Sequence, residues 1–194
     1  MRTISLNPPF VSLLVLLFFS GCEDNDDVED DLSEGETYSF MYNDKSYTLV
    51  KEASSWQDAV SYAVAGGGYL AEINSEEEQT ALFTELVSSA DITFDDTNNQ
   101  FGFAAVWLGG NDLETEGVWV WNGNNDDLEV HFWEGGVDGS VVNGLYNNWG
   151  NEPDNNGDQD VLYLGLEATP INAAGKWTDL DGAENNLYFL IEYD

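Results

Sequence analysis

Along most of the chain the apolar positions fall in short runs, and their spacing changes from one run to the next. Y-S-F-M-Y (38–42) and Y-T-L-V (47–50) are rich in aromatic and β-branched residues. Asn43-Asp44-Lys45-Ser46 between them carries turn chemistry, so the pair predicts a β-hairpin. The spacing then becomes helical. In S-S-W-Q-D-A-V-S-Y-A-V-A (54–65), Trp56, Ala59, Val60 and Ala63 share one face, with Ser55 as N-cap and Asp58 three residues on. Gly66-Gly67-Gly68 ends this helix. No Lys-Ser/Thr follows the three glycines, so they do not make a phosphate loop.

Y-L-A-E-I (69–73) reads as extended. Ser75-Glu76-Glu77-Glu78 is a capping box that opens a second helix, with Leu82, Phe83, Leu86 and Val87 as its buried stripe. The polar stretch Asp95-Asp96-Thr97-Asn98-Asn99 lacks the glycine and terminal glutamate of an EF-hand loop and receives no metal role. A-A-V-W-L (104–108) predicts a central strand. V-W-V-W (118–121) predicts another, with both tryptophans on one face. From Asn122 to about Asp160 the chain is rich in Gly, Asn and Asp, and a loop of that length in a compact domain is usually functional. V-L-Y-L-G-L (161–166) and L-Y-F-L-I-E-Y (187–193) read as strands. A hairpin, two helices and several strands around long loops make an α+β domain with a mixed or antiparallel sheet.

Charge narrows the function classes. Four Lys+Arg face 38 Asp+Glu, for a formal net charge of −34. Nucleic-acid phosphates need Lys and Arg, so nucleic acid is excluded as a partner. Anionic membrane surfaces are disfavoured for the same reason. Cations and neutral or basic partners are favoured.

The N-terminal segment carries its own pattern. Residues 1–21 combine one basic residue, Arg2, with an apolar run from Phe10 to Phe19 and small residues before Cys22. This reads as a signal peptide, too short to span a bilayer. F-S-G-C resembles the bacterial lipobox, with Phe19 where Leu is usual, and the single cysteine of the chain stands at the acylation position. The competing reading is an ordinary signal with an unmodified thiol. Residues 23–36 contain nine acidic residues in fourteen and read as an extended tether within a 22–36 linker. The expected location is an outer-membrane lipoprotein held by its N-terminal lipid, on either the periplasmic face or the cell surface.

One further stretch, N-N-W-G-N-E-P-D-N-N-G-D-Q-D (147–160), offers an oxygen at almost every side chain. Its competing readings are a loop for a hard cation and a solvated acidic turn. Elsewhere, His131 is the single histidine and has no Cys partner for zinc or nucleophilic chemistry. No carboxylate pair stands out for glycoside hydrolysis, so the chain reads as a non-enzyme.

Taken in order, these segments resemble the C-type lectin-like domain over about residues 38–193, within a domain spanning 37–194. S-W-Q-D-A-V-S-Y-A resembles the family's first helix, and G-G-G-Y-L-A-E-I-N-S-E-E-E the passage into the second. W-L-G-G-N-D-L-E-T-E-G-V-W-V-W, N-W-G-N-E-P-D-N-N, K-W-T-D and F-L-I-E-Y resemble its core segment, calcium loop, Trp-Asn-Asp strand and closing strand. The resemblance implies paired terminal strands, a long loop emerging from the sheet, a cis peptide before the loop proline, and a calcium ion that coordinates sugar hydroxyls. It implies Glu152 and Asp154 as first ligands, Asp179 as a later one, and one or more of Asp158, Gln159 and Asp160 to close the site.

Two positions depart from the family pattern. Gln159 stands where a glutamate is expected and Thr178 where an asparagine is expected. Trp149, Asn155 and Thr178 are the neighbouring candidates for ligand contact, although Trp149 also reads as a loop anchor. The resemblance therefore implies either a calcium-dependent carbohydrate-binding module or a calcium-independent protein-binding and adhesion module of the same fold. The family's usual disulfides are missing, and Ala63, Val161 and Leu190 are expected to fill the matching points with apolar packing.

Overall fold

The structure, a computed structural model, describes residues 36–92, 102–124, 126, 128–154 and 156–194. The predicted signal peptide, Cys22, almost all of the tether, the 95–99 stretch and Asn155 lie outside these residues.

The predicted hairpin forms, with a tighter turn than the sequence implies. Strands β1 (Thr37–Tyr42) and β2 (Lys45–Ser54) pair antiparallel around Asn43 and Asp44. Both turn residues have positive φ, 47° and 67°, the backbone that suits a two-residue hairpin and that Asn and Asp tolerate. Lys45 and Ser46 therefore belong to the strand. Helix α1 (Trp56–Ala65) starts where Ser55 Oγ accepts from Asp58 N–H at 3.2 Å, and it buries Trp56, Ala59, Val60 and Ala63. Strand β3 is short, Tyr69–Leu70. Helix α2 (Glu76–Ser88) is capped by Ser75 Oγ, while Glu78 Oε2 accepts from Asn74 N–H at 2.7 Å. The capping box thus closes one residue further back than usual. Leu82 and Leu86 are fully buried, Phe83 and Val87 half-buried.

Strands β4 (Ala105–Asn111), β5 (Val118–Trp121), β8 (Val161–Gly165), β9 (Trp177–Leu180) and β10 (Leu187–Tyr193) complete the predicted set. The long loop after β5 is not all loop. It contains β6 (Val130–Glu134) and the two-residue β7 (Ser140–Val141). The main path through the sheet runs β1-β2-β10-β4-β5-β6-β7; β3 joins at β10, and β8 and β9 branch from β4. β10 and β4 pair parallel, and the other pairs are antiparallel. The pairing of β2 with β10 is the terminal-strand closure that the resemblance implies.

Two cores lie on the two faces. One gathers Trp119, Trp121, Phe132, Trp149 and Trp177 with Leu82, Leu86, Leu162 and Leu164. The other places α1 over Trp107, Val161, Phe189 and Ile191. Ala63, Val161 and Leu190 are all buried, as the missing disulfides require, but Leu190 faces the first core and Ala63 the second. Phe189 and Ile191, its neighbours in β10, are the residues that share a core with Ala63. A disulfide contributes about 2–4 kcal/mol, and a fully buried aliphatic or Phe side chain about 1.5–3 kcal/mol.

Candidate functional site

The site is built from the end of β9 and from the loop that is stitched to it. In β9, Trp177 and Asp179 point to one face, and Thr178 and Leu180 to the other. Trp177 anchors the strand. Its indole N–H donates to Gln79 Oε1 at 2.7 Å, and Gln79 Nε2 donates to the Gly175 carbonyl at 3.1 Å, tying β9 to α2. The loop then runs beside Trp177. Trp177 N–H donates to the Asn148 carbonyl, and Gly150 N–H donates to the Trp177 carbonyl, both at 3.1 Å. Asn148 is held again from the side, by Lys176 Nζ on its Oδ1 at 2.7 Å and through its Nδ2 on the Gly175 carbonyl at 2.7 Å.

Asn172 is the second fastener. Its Oδ1 accepts from Asn151 N–H at 2.7 Å, and its Nδ2 donates to Thr178 Oγ1 at 2.9 Å. Asn151 Nδ2 also donates to the Ile171 carbonyl. The close approach explains Gly150: a Cβ there would lie 1.9 Å from Asn172 Oδ1. These contacts bring the loop against β9 at the point where Asp179 begins. The Glu152–Pro153 peptide is cis.

Glu152, Asp154 and Asp179 come together there, each offering a carboxylate oxygen within 4.8 Å of the others. Asp179 is 1% exposed, and neither of its oxygens has a hydrogen-bond partner. Glu152 Oε2 is likewise buried and unpartnered. Asp154 is exposed, and its Oδ1 accepts from Asn156 N–H at 3.0 Å. Burial, then the Glu152 charge, pushes Asp179 up to about 7. Glu152 is raised by burial and by the Asp154 charge. Such a cluster is unbalanced: buried acceptors without donors are costly, and the charges repel one another.

The remaining candidates are placed differently. Asp158 and Asp160 lie outside this cluster and line a cavity of about 540 Å³ with Ser55, Trp56 and Asp181. Asp160 instead neighbours Asp112 and Glu116, and its own carbonyl accepts from Asp112 N–H at 3.0 Å. Asp112 is 2% exposed, with Oδ2 accepting from Gly117 N–H and Oδ1 unpartnered. Burial, with the Glu116 and Asp160 charges, raises it to about 7. The sequence reading missed Asp112; its position directly after the strand A-V-W-L-G-G-N was the available signal. Gln159 is half-buried between the two acids.

Trp149 takes the loop-anchor place that the sequence offered as its alternative reading, and Thr178 lies beside it in β9. The Trp149 indole is 8% exposed and meets Trp119 edge-on, with ring centroids 4.8 Å apart. It serves the aromatic core, which leaves little ring face for a ligand to stack on. Thr178 is 4% exposed, and its hydroxyl is engaged by Asn172. His131 pairs with the Trp133 carbonyl through Nε2 at 3.0 Å.

Comparison with known proteins places the fold. The sequence model of the Lectin C-type domain matches residues 52–190. Halomucin of Haloquadratum walsbyi is 32% identical over 152 residues, covering 76% of this chain; that stretch is 1% of halomucin's own length. The mouse scavenger receptor C-type lectin carbohydrate-recognition domain superposes with a TM-score of 0.54 at 25% identity, over 80% of this chain and 95% of its own. A calcium-independent type II antifreeze protein shares the fold, with a TM-score of 0.51 at 21% identity over 80% of this chain and 90% of its own. With its paired terminal strands, its stitched loop and a domain match across most of its length, this chain belongs to the C-type lectin domain family.

Proposed function

We propose that this domain is a calcium-dependent carbohydrate-binding module, carried on a lipid-anchored extracytoplasmic protein. C-type lectin domains bind glycans or proteins and are not enzymes, so the question is which ligand this one takes. The observation that carries the calcium reading is the Glu152–Asp154–Asp179 cluster with its three buried, unpartnered oxygens. Calcium prefers six to eight oxygens, several from carboxylates, and its charge would relieve the repulsion. Asp154 is exposed, so the cluster is reached from solvent. A calcium ion there would supply a Lewis-acidic contact for paired sugar hydroxyls. The chain's own part is to hold three carboxylates against β9 through Asn148, Asn172 and Trp177. The named carbohydrate-recognition domain of the mouse scavenger receptor C-type lectin supports the sugar reading.

A second reading is a calcium-independent protein-binding and adhesion module of the same fold. Two observations favour it: Asp158 and Asp160 face elsewhere, and the Thr178 hydroxyl is already bonded. Calorimetric calcium titration, followed by a glycan array with and without chelator, separates the two. Calcium heat together with chelator-sensitive glycan binding supports the first reading. No calcium heat and an unchanged melting temperature would sink it. The anchor rests on Cys22, and a Cys22→Ser variant is expected to leave the membrane fraction.

A further inference from the structure

β1 ends the main sheet path, and among the described residues no strand lies beyond it. The β1–β2 register fixes which of its peptide groups face out. Lys51 N–H donates to the Glu36 carbonyl at 2.8 Å, which makes Glu36 and Lys51 a hydrogen-bonded pair. Bonded and non-bonded pairs alternate along an antiparallel ladder. Tyr38, Phe40 and Tyr42 therefore bond to β2, while Thr37, Ser39 and Met41 turn their N–H and C=O groups outward.

Natural edge strands are usually blunted by charge, proline or a bulge. T-Y-S-F-M-Y has no charged residue and no proline, and its register with β2 is unbroken. Met41 is 66% exposed. Beside this edge α2 forms the far wall of an open groove of about 650 Å³. Phe40, Met41 and Tyr42 line one side, and Glu76, Glu77 and Glu85 the other. Glu85 is engaged by the Tyr38 hydroxyl at 2.5 Å. Glu76 and Glu77 are exposed and have no ion-pair partner among the described residues.

We propose that this edge and groove take an extended, Lys/Arg-bearing segment of another protein, added as a further strand beside β1. The outward peptide groups supply the ladder, and side chains at every second position of the added strand reach α2. Glutamates on that wall select basic side chains there. The chain itself does not fit. Residues 23–36 carry nine acidic residues and would be repelled, and the four Lys+Arg of the whole chain include no alternating pair. The surface uses β1 and α2 and shares no residue with the carboxylate cluster, so it stands independently of the calcium reading.

The test uses the full chain and the peptide Thr-Lys-Val-Lys-Val-Lys-Thr at about 0.15 M salt, where exposed charges are screened beyond about 8 Å. Affinity is read by fluorescence anisotropy, and amide exchange by NMR. The peptide is expected to bind and to slow exchange at Thr37, Ser39 and Met41 by at least about tenfold, because strand pairing protects those amides. A peptide of equal charge with a central proline is expected to bind at least about tenfold more weakly. Glu76→Gln with Glu77→Gln should weaken binding about fivefold, the scale of two exposed ion pairs. Equal binding of both peptides without amide protection would overturn the proposal, leaving only attraction to a highly acidic protein. Protection of the same amides in a peptide-free dimer would overturn it in favour of a second copy. Undiminished affinity in the double variant would overturn the basic-segment assignment.

Discussion

Glu192 and Asp179 are two buried carboxylates of one sheet, on strands separated by β4 and β8, and they are opposites. Glu192, in β10, is 0% exposed and fully partnered. Lys45 Nζ and the Tyr69 hydroxyl donate to its Oε1, and Glu72 N–H donates to its Oε2 at 3.1 Å. Asp179, in β9, is 1% exposed, and neither of its oxygens has a hydrogen-bond partner of normal geometry. Burial alone does not distinguish structure from function. The donor set does: a satisfied buried acid joins β2, β3 and β10, while the unsatisfied Asp179 beside two further carboxylates is the arrangement on which the calcium proposal rests.

The largest expected effect tests the satisfied side. Glu192→Ala leaves the Glu72 amide without its acceptor and takes from Lys45 its nearer carboxylate, while Asp194 still accepts from the Tyr69 hydroxyl at 2.9 Å; it should cost about 3 kcal/mol in urea unfolding, with or without calcium. Gly150→Ala comes next. Its methyl would collide with Asn172 Oδ1, and an overpacked contact of this kind costs about 1–3 kcal/mol. The shift of the loop should also weaken calcium binding, which titration calorimetry would report. Asp179→Asn should have the opposite sign in the absence of calcium. Removing an unpaired buried charge is expected to stabilise the chelator-treated protein by about 1 kcal/mol at pH 8 while abolishing its stabilisation by calcium. If the variant loses stability without calcium, the contrast with Glu192 fails.

The smallest effect is in pH. Glu72, Asp112 and Asp179 are each raised to about 7, in every case chiefly by burial. Between about pH 4 and 7 the folded chain therefore binds more protons at these groups than the unfolded chain does. Their contribution favours the folded state at the acid end and is lost as pH rises through 7. The melting temperature in chelator should fall across that interval, with the self-repulsion of a −34 chain acting in the same direction. Calcium should flatten the fall, and Asp179→Asn should remove the Asp179 share. A melting temperature that rises with pH in chelator would contradict the burial argument.

Much of this was legible in the sequence where local chemistry decides. The caps at Ser55 and Ser75, the Trp56–Ala63 stripe, the presence of a turn in 43–46 and the limits of β10 follow from nearest neighbours along the chain. The Glu152, Asp154 and Asp179 grouping was legible only through the family resemblance, since about twenty-five residues separate its ends. What local chemistry could not show was direction. Asp158 and Asp160 lie within eight residues of Glu152, yet the turn through Gly157, at φ 97°, sends them to another cavity. Sequence alone leaves Trp149 open between loop anchor and ligand contact and offers Thr178 as a contact; long-range partners, Trp119 for one and Asn172 for the other, hold both side chains inward. β6 was hidden because V-H-F-W-E gains its strand character from pairing with β5, which no single segment reveals.

The aromatic core carries one more consequence. All seven tryptophans are at most 9% exposed, and Trp149, three residues before Glu152, touches the rings of Trp119, Phe132 and Trp177. The loop that carries the carboxylates is therefore wired to the protein's own chromophores. A change in residues 150–154 that moves Trp149 would tilt an indole within a cluster of indoles, so the molecule's ultraviolet emission offers a label-free readout for the calcium titration.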